Sequence, residues 1–228
     1  WGDSHALAWL PGLDEALSAR GERGSLAIMS ECAPLLDVIN PKNPACTAHN
    51  EQVVNWVRRD GLASVYLIAA WVPWSTEIGG YELSDSTGLS GNAAIFSAGF
   101  KRTIEQLSPH VDEIVVIAPT PGAVKFLPYR MAMATWLGTA QPDPIGKPVY
   151  AAQAANFWRG VAGTEDRVRI IDPAPWFCDA VQCRYASNGQ LLYRDGHHLN
   201  VEGARFAARH LTAERALPPM AGMAAAAH

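Results

Sequence analysis

Residues 64–71 read SVYLIAAW, and the fold class turns on this run. Only Ser64 is polar, so the segment lacks the in-out alternation of a strand with one wet face. Short, uninterrupted apolar runs bounded by polar, Gly or Pro residues are how strands buried on both faces of a parallel sheet read. Three further runs share this character: SLAIMS (Ser25–Ser30), DEIVVIAPTP (Asp112–Pro121) and DRVRIIDPAP (Asp166–Pro175). Between them lie segments with apolar residues at three- and four-residue spacing, namely Ala6–Arg20, Glu51–Arg59, Asn92–Leu107, Ala151–Val161 and Val201–Arg215. In Asn92–Leu107, for example, Ile95, Phe96, Phe100, Ile104 and Leu107 repeat at helical spacing around Gly99 and Thr103. Alternating strands and helices predict an α/β fold, a three-layer α/β/α sandwich on a mostly parallel sheet with right-handed crossovers. No repeat or linker divides the chain, so one domain is expected over residues 1–216, with residues 217–228 a linker or appended tail.

Composition agrees with a single globular domain. The 228 residues are 49% hydrophobic and 18% charged, enough to bury a sizeable core. The net charge of −4, from 18 basic and 22 acidic residues without a basic run, argues against nucleic acid or an anionic membrane surface as partner. No apolar stretch approaches the roughly 20 residues that span a bilayer.

The four cysteines fall into two close pairs, Cys32 with Cys46 and Cys178 with Cys183. Of the three possible connectivities, the two local disulfides are the simplest. Four reduced thiols or a zinc site are the alternatives, although the spacings do not match paired CxxC ligands. Two loop staples point to an oxidising compartment, periplasmic or extracellular.

The chain opens WGDSHALAWL. Asp3 or Ser4 there can cap the helix that follows, because both side chains accept hydrogen bonds from first-turn amides. The alternative is that Ser4 is a nucleophile on a strand-to-helix turn. Such a serine must follow a strand, yet only Trp1, Gly2 and Asp3 precede it. The first strand is thus expected to lie largely upstream, in a longer protein. In the order 2-1-3-4-5 it would run between Ser25–Ser30 and Ser64–Trp71.

Near the other end, YRDGHHLNVEGARFAARHL places Asp195 three residues before His198, ahead of a helix for which Asn200 is a cap candidate. A carboxylate at that spacing can reach back to the imidazole Nδ1–H, fix the tautomer and stabilise the imidazolium. A capping Asp with two surface histidines is the plainer reading. Loops that follow strands of a parallel sheet gather at its carboxyl edge, where Ser4 and the Asp195–His198 loop could meet.

Gly2-Asp3-Ser4-His5, together with Asp195-x-x-His198-Leu199-Asn200-x-x-Gly203-Ala204, resembles the first and last blocks of the SGNH/GDSL hydrolases. More narrowly, it resembles the SGNH domain of acyltransferase-3 type polysaccharide O-acetyltransferases, from which Asn200 departs within these blocks by replacing Ser. The ECAPLL cysteine, the LIAAW strand and the second cysteine pair also fit. The resemblance implies Ser4 as nucleophile, His198 as general base and Asp195 as orienting carboxylate, with His197 the alternative base. It implies the Ser4 amide as one oxyanion donor. The Gly and Asn donors usual in the wider superfamily are missing from MSECAP and IAAWVPW, which leaves Ser30, an amide of its loop, or the Trp71 indole.

The function so implied is transfer of an acyl group, most simply acetyl, through acyl-Ser4 to a hydroxyl of a bacterial surface carbohydrate. An upstream or partner membrane domain would deliver the acyl donor, and the domain would be extracytoplasmic, tethered to the inner membrane. A free-standing carbohydrate acetylesterase would use the same triad. A non-catalytic carbohydrate-binding module, with Trp74, Tyr81 and Trp136 as stacking platforms, is the reading from another class. No cofactor and no metal is expected.

Overall fold

The computed structural model describes residues 1–78 and 80–216; the expected tail, residues 217–228, lies outside them. Three parallel strands form the centre in the order β1 (Ser64–Ile68), β2 (Glu113–Ile117) and β3 (Arg169–Ile171). Ser64 sits opposite Glu113, and Val115 opposite Arg169. The start of the chain extends this sheet on the free side of β1. The Ile68 N–H donates to the Trp1 carbonyl at 3.1 Å, the Gly2 N–H to the Ala27 carbonyl at 3.1 Å, and the Met29 N–H to the Gly2 carbonyl at 3.2 Å. Gly2 is therefore bridged in parallel to both Ile28 and Ile68. The segment that carries the opening turn lies between the two predicted neighbours, in the order 2-1-3-4-5.

Glycine is required there. A Cβ on residue 2 would stand 1.7 Å from the Ile68 carbonyl oxygen, so only a bare Cα fits between the flanking strands.

Alternate side chains of the strands feed two cores, as a two-residue period demands. Val65, Leu67, Ile114 and Val116 face one core with Trp71, Phe96, Phe100 and Phe157, whereas Ile68, Val115 and Ile117 face the other with Trp9, Phe177, Phe206 and Leu211. Helix α1 (Ser4–Ser18) packs on the second side. The first side is covered by α2 (Cys46–Asp60), α3 (Trp71–Ser75) and α4 (Asn92–Leu107). Helix α5 (Leu127–Leu137) buries only Leu127 and Ala134. Helix α6 (Lys147–Val161) gives Phe157 to the first core and Tyr150 to the second; the short α7 (Ala174–Phe177) and α8 (Val201–Ala216) complete the second layer.

Several predicted boundaries shift. Ser25–Ser30 is not a regular strand: only Ala27–Met29 engage the sheet, and Leu26 is 46% exposed. The strand at 64–71 stops at Ile68, because the chain turns at Ala69–Ala70 and starts α3 at Trp71. Ala174 and Pro175, read as the end of a strand, instead open the short helix Ala174–Phe177. Both local disulfides are present, Cys32–Cys46 and Cys178–Cys183, and there is no free cysteine among the described residues.

Helices α1 and α8 lie against each other with almost no side-chain spacer. A Cβ on Gly12 would meet the Ala204 carbonyl oxygen at 2.1 Å. This contact brings the N-terminus of α1 and the loop before α8 to one end of the domain. Gly12→Ala should push the helices apart and destabilise the protein by at least the ~1–3 kcal/mol of an overpacked core. Thermal melts check this, with Leu13→Ala, at a partly buried neighbour in the second core, as the reference for an ordinary loss of contact.

Candidate active site

Asp3, buried at 2% exposure, caps α1: its Oδ1 accepts the His5 N–H at 2.8 Å. Its Oδ2 accepts the Ala70 N–H at 2.9 Å and the Trp74 indole N–H at 3.3 Å. Burial raises the Asp3 pKa, and these three donors act against that rise. Ser4 then becomes the first helical residue. Its amide has no intrahelical acceptor and lies at the positive end of the helix dipole. The capping and nucleophile readings of the opening turn are compatible, since they fall on adjacent residues.

Ser4 Oγ lies 2.8 Å from His198 Nε2, although 194 positions separate them. His198 Nδ1 lies 2.7 Å from Asp195 Oδ2. Burial pushes the Asp195 carboxyl up, but the His198 and His197 amides and the His198 ring outweigh it and hold the pKa down at about 2. An ionised carboxylate only accepts, so Nδ1 carries the proton and Nε2 is left to accept from the Ser4 hydroxyl. Asp195 Oδ1 takes both the His197 and His198 amides at 2.8 Å, which curls residues 195–198 into a closed turn. The Gly196 carbonyl accepts the Ala123 N–H at 2.8 Å and pins the turn against the loop after β2. Asn200 Oδ1 accepts the Gly203 N–H at 2.8 Å, so the substitution of Asn for Ser keeps the cap of α8.

The other site candidates separate. Trp71 is fully buried among Phe96, Phe100 and Phe157, and its indole N–H donates to the Ile117 carbonyl at 2.7 Å. Its donor is spent in the core, which removes it as an oxyanion contact. Trp74 is not an exposed platform either: it is 1% exposed and stacks on the half-buried Tyr81 with centroids 4.7 Å apart. Only Trp136, on α5, is open to solvent, at 77%. Ser30 is exposed and follows Met29, whose N–H reaches Gly2, so it turns away at the carboxyl edge beside the Ser4 turn. The side-chain amides of Asn43 and Asn40 hold the Ser30 and Glu31 carbonyls.

His5 was not foreseen as part of this site. Its ring is buried, with Nε2 3.0 Å from His197 Nδ1. Burial, then the neighbouring His198 and His197, lower its pKa to about 3. No spacing rule could pair residues 5 and 197; the doubled histidine of DGHHL was the only local sign.

A sequence-family profile described as "SGNH domain (fused to AT3 domains)" matches residues 1–213. The chain belongs to that family. No curated protein matches it. Among solved structures it is similar to the periplasmic domain of a lipopolysaccharide acetyltransferase from Salmonella ser. Paratyphi A, with TM-score 0.67 and 16% identity over 95% of this chain and 82% of that one. It is also similar to Est24, a carbohydrate acetylesterase from Sinorhizobium meliloti, with TM-score 0.51 and 13% identity over 91% and 84%. At these identities the likeness is one of fold, that of the SGNH/GDSL hydrolases.

The buried neutral His5 carries a pH signature. Its pKa is lowered on folding from 6.5 to about 3, so the unfolded chain binds a proton that the folded chain refuses. The stability it permits is complete above pH 6.5 and is lost as pH falls towards 3. Melting temperature between pH 7 and 4 should therefore fall less steeply in His5→Gln than in the wild type. Parallel slopes would show that His5 is not held neutral.

Proposed function

We propose that this SGNH domain is an O-acyltransferase that moves an acetyl group through acyl-Ser4 to a carbohydrate hydroxyl. The observation that carries the reading is the hydrogen-bonded chain from Ser4 through His198 to the depressed carboxyl of Asp195. Ser4 Oγ attacks the acyl carbonyl carbon of the donor while its proton passes to His198 Nε2. As the carbonyl re-forms, the donor's leaving oxygen or sulfur takes that proton and departs. A sugar hydroxyl then gives its proton to Nε2 and attacks the acyl-enzyme, and Nε2 passes that proton to the Ser4 oxygen on release of the ester. Asp195 stays ionised throughout and stabilises the imidazolium.

The developing oxyanion needs donors aimed at it, each worth about 2.7–4 kcal/mol. The Ser4 amide supplies one. An amide of the Ser30–Glu31 turn, held by Asn40 and Asn43, is assigned the second in place of the family's missing Gly and Asn donors.

Transfer to carbohydrate is supported by membership of a family whose domain is fused to AT3 domains and by the fold shared with a lipopolysaccharide acetyltransferase domain. The acyl donor then comes from a membrane acyltransferase domain, in the same chain or as a partner. The two disulfides and the likeness to a periplasmic domain support an extracytoplasmic place, and the family's fusion to AT3 domains supports a tether to the inner membrane.

An aryl acetate, with water as the acceptor, tests the triad without the natural donor. Ser4→Ala and His198→Ala should each lose at least ~10³-fold in rate, because the three residues act as a unit, whereas His197→Ala keeps most of it. A larger loss in His197→Ala than in His198→Ala would reassign the base. Mass spectrometry of surface polysaccharide from cells carrying the full-length protein or its Ser4→Ala form separates transfer from hydrolysis. Acetyl ester that depends on Ser4 supports transfer; acetyl ester that accumulates when Ser4 is lost identifies an esterase.

A further inference from the structure

Three imidazoles meet beside Ser4, and acyl transfer employs only one of them. One ring nitrogen from each of His5, His197 and His198 lies within 4.8 Å of the other two. The rings are packed on one another, with His5 and His197 stacked at 5.2 Å and His197 and His198 centroids 4.1 Å apart. His5 is buried and rigidly placed on α1, yet Nε2 has another imidazole as its partner rather than a backbone group. His197 is exposed and opens the group to solvent.

We propose that His5, His197 and His198 form an inhibitory site for a divalent transition-metal ion of the zinc class, bound through His5 Nε2, His197 Nδ1 and His198 Nε2. The inhibition, though not the binding, rests on the proposed role of Ser4 and His198.

Three properties of the group support the assignment. The first is spacing. Zinc–nitrogen bonds of ~2.0–2.1 Å at tetrahedral angles hold ligand nitrogens ~3.3 Å apart. His5 Nε2 and His197 Nδ1 are already 3.0 Å apart, so this pair needs a few tenths of an ångström, and the His198 nitrogen, within 4.8 Å of both, closes the rest by rotation of the rings. The second is protonation. A metal takes the neutral imidazole, and the 3.0 Å contact between His5 Nε2 and His197 Nδ1 already sets one ring's N–H against the other ring's lone pair. The hydrogen bond between them contains one ring proton, which moves to the other nitrogen of its own ring when the metal binds, so no redox partner is needed. The third is support from outside the ligand set. Metal-binding histidines are oriented by a carboxylate on the opposite ring nitrogen, and Asp195 Oδ2 sits 2.7 Å from His198 Nδ1. The only nitrogen His198 then has free is Nε2, the one that accepts from the Ser4 hydroxyl. A metal on Nε2 displaces that hydrogen bond and leaves Ser4 without its base. Imidazole ligands select zinc or copper over magnesium or calcium, which prefer oxygen.

Zinc chloride titrated into the tag-free domain tests the site by calorimetry. One zinc per chain is expected in wild type, and affinity equal or higher in Ser4→Ala, where the competing hydroxyl is gone. His197→Asn should bind at least tenfold more weakly. This arm does not depend on whether Ser4 is the nucleophile. In aryl-acetate hydrolysis, scored against each variant's own zinc-free rate, zinc should inhibit wild type reversibly by EDTA, and His197→Asn should need at least tenfold more. Magnesium should do nothing. Equal zinc affinity in wild type and His197→Asn would overturn the ligand set, as would absence of one-site binding. Stoichiometric zinc that leaves hydrolysis unaffected would overturn the inhibitory role while sparing the site.

Discussion

The close approach of Gly2 to the Ile68 carbonyl is the constraint on which the rest of the site depends. A parallel ladder on either side of residue 2 directs the chain out at the carboxyl edge of the sheet, where Asp3 must at once be buried and start a helix. Asp3 meets both demands by accepting the His5 amide on one oxygen and the Ala70 amide and Trp74 indole on the other. Its second oxygen thereby ties the loop after β1 to the start of α1. Because α3 begins in that loop, the aromatic core around Trp71 and the position of Ser4 are fixed by one carboxyl group.

His198 is positioned by the same economy. Helices α1 and α8 run side by side with their N-termini at one end, and Gly12 lets them approach to backbone contact. The two helix dipoles present their positive ends towards the region where Ser4 and His198 meet. The ionised Asp195 lies just ahead of α8 and receives two backbone amides of its own turn. The peptide groups of its own turn hold the carboxylate in place, and this keeps it charged without making it mobile.

The centre of the fold was legible in the sequence because a strand buried on both faces has no choice of residue. VYLI and EIVVI can be little else inside an α/β chain. Legibility failed where one side chain or one neighbour overrode the local pattern. Ser25–Ser30 read as a strand but meets the sheet only at Ala27–Met29, its outer side facing solvent. Trp71 read as a strand end, yet the turn at Ala70 that satisfies Asp3 starts a helix there. Helix α5 was missed because Pro128 and many exposed apolar residues, among them Tyr129 and Trp136, blur its periodicity. At the site, Ser4, Asp195 and His198 were readable from two short motifs and the edge rule for parallel sheets. The backbone amides around Ser4 were not, because an amide leaves no mark on composition. His5 was invisible for a different reason: its meaning depends on a residue 192 positions away.

That separation also governs when the site can exist. Residues 1 and 2 find their ladder partners by residue 68, but α1 finds its packing partner only in α8, and Ser4 its hydrogen-bond partner only at residue 198. Contacts of such length are closed late in folding, since the entropy of a long loop is spent before any contact repays it. The contact between Ser4 and His198 therefore belongs with the packing of α1 on α8, among the last the domain closes. The paired Ser4, His198 and Asp195 are thus a property of the whole domain, absent from any part of it that folds first.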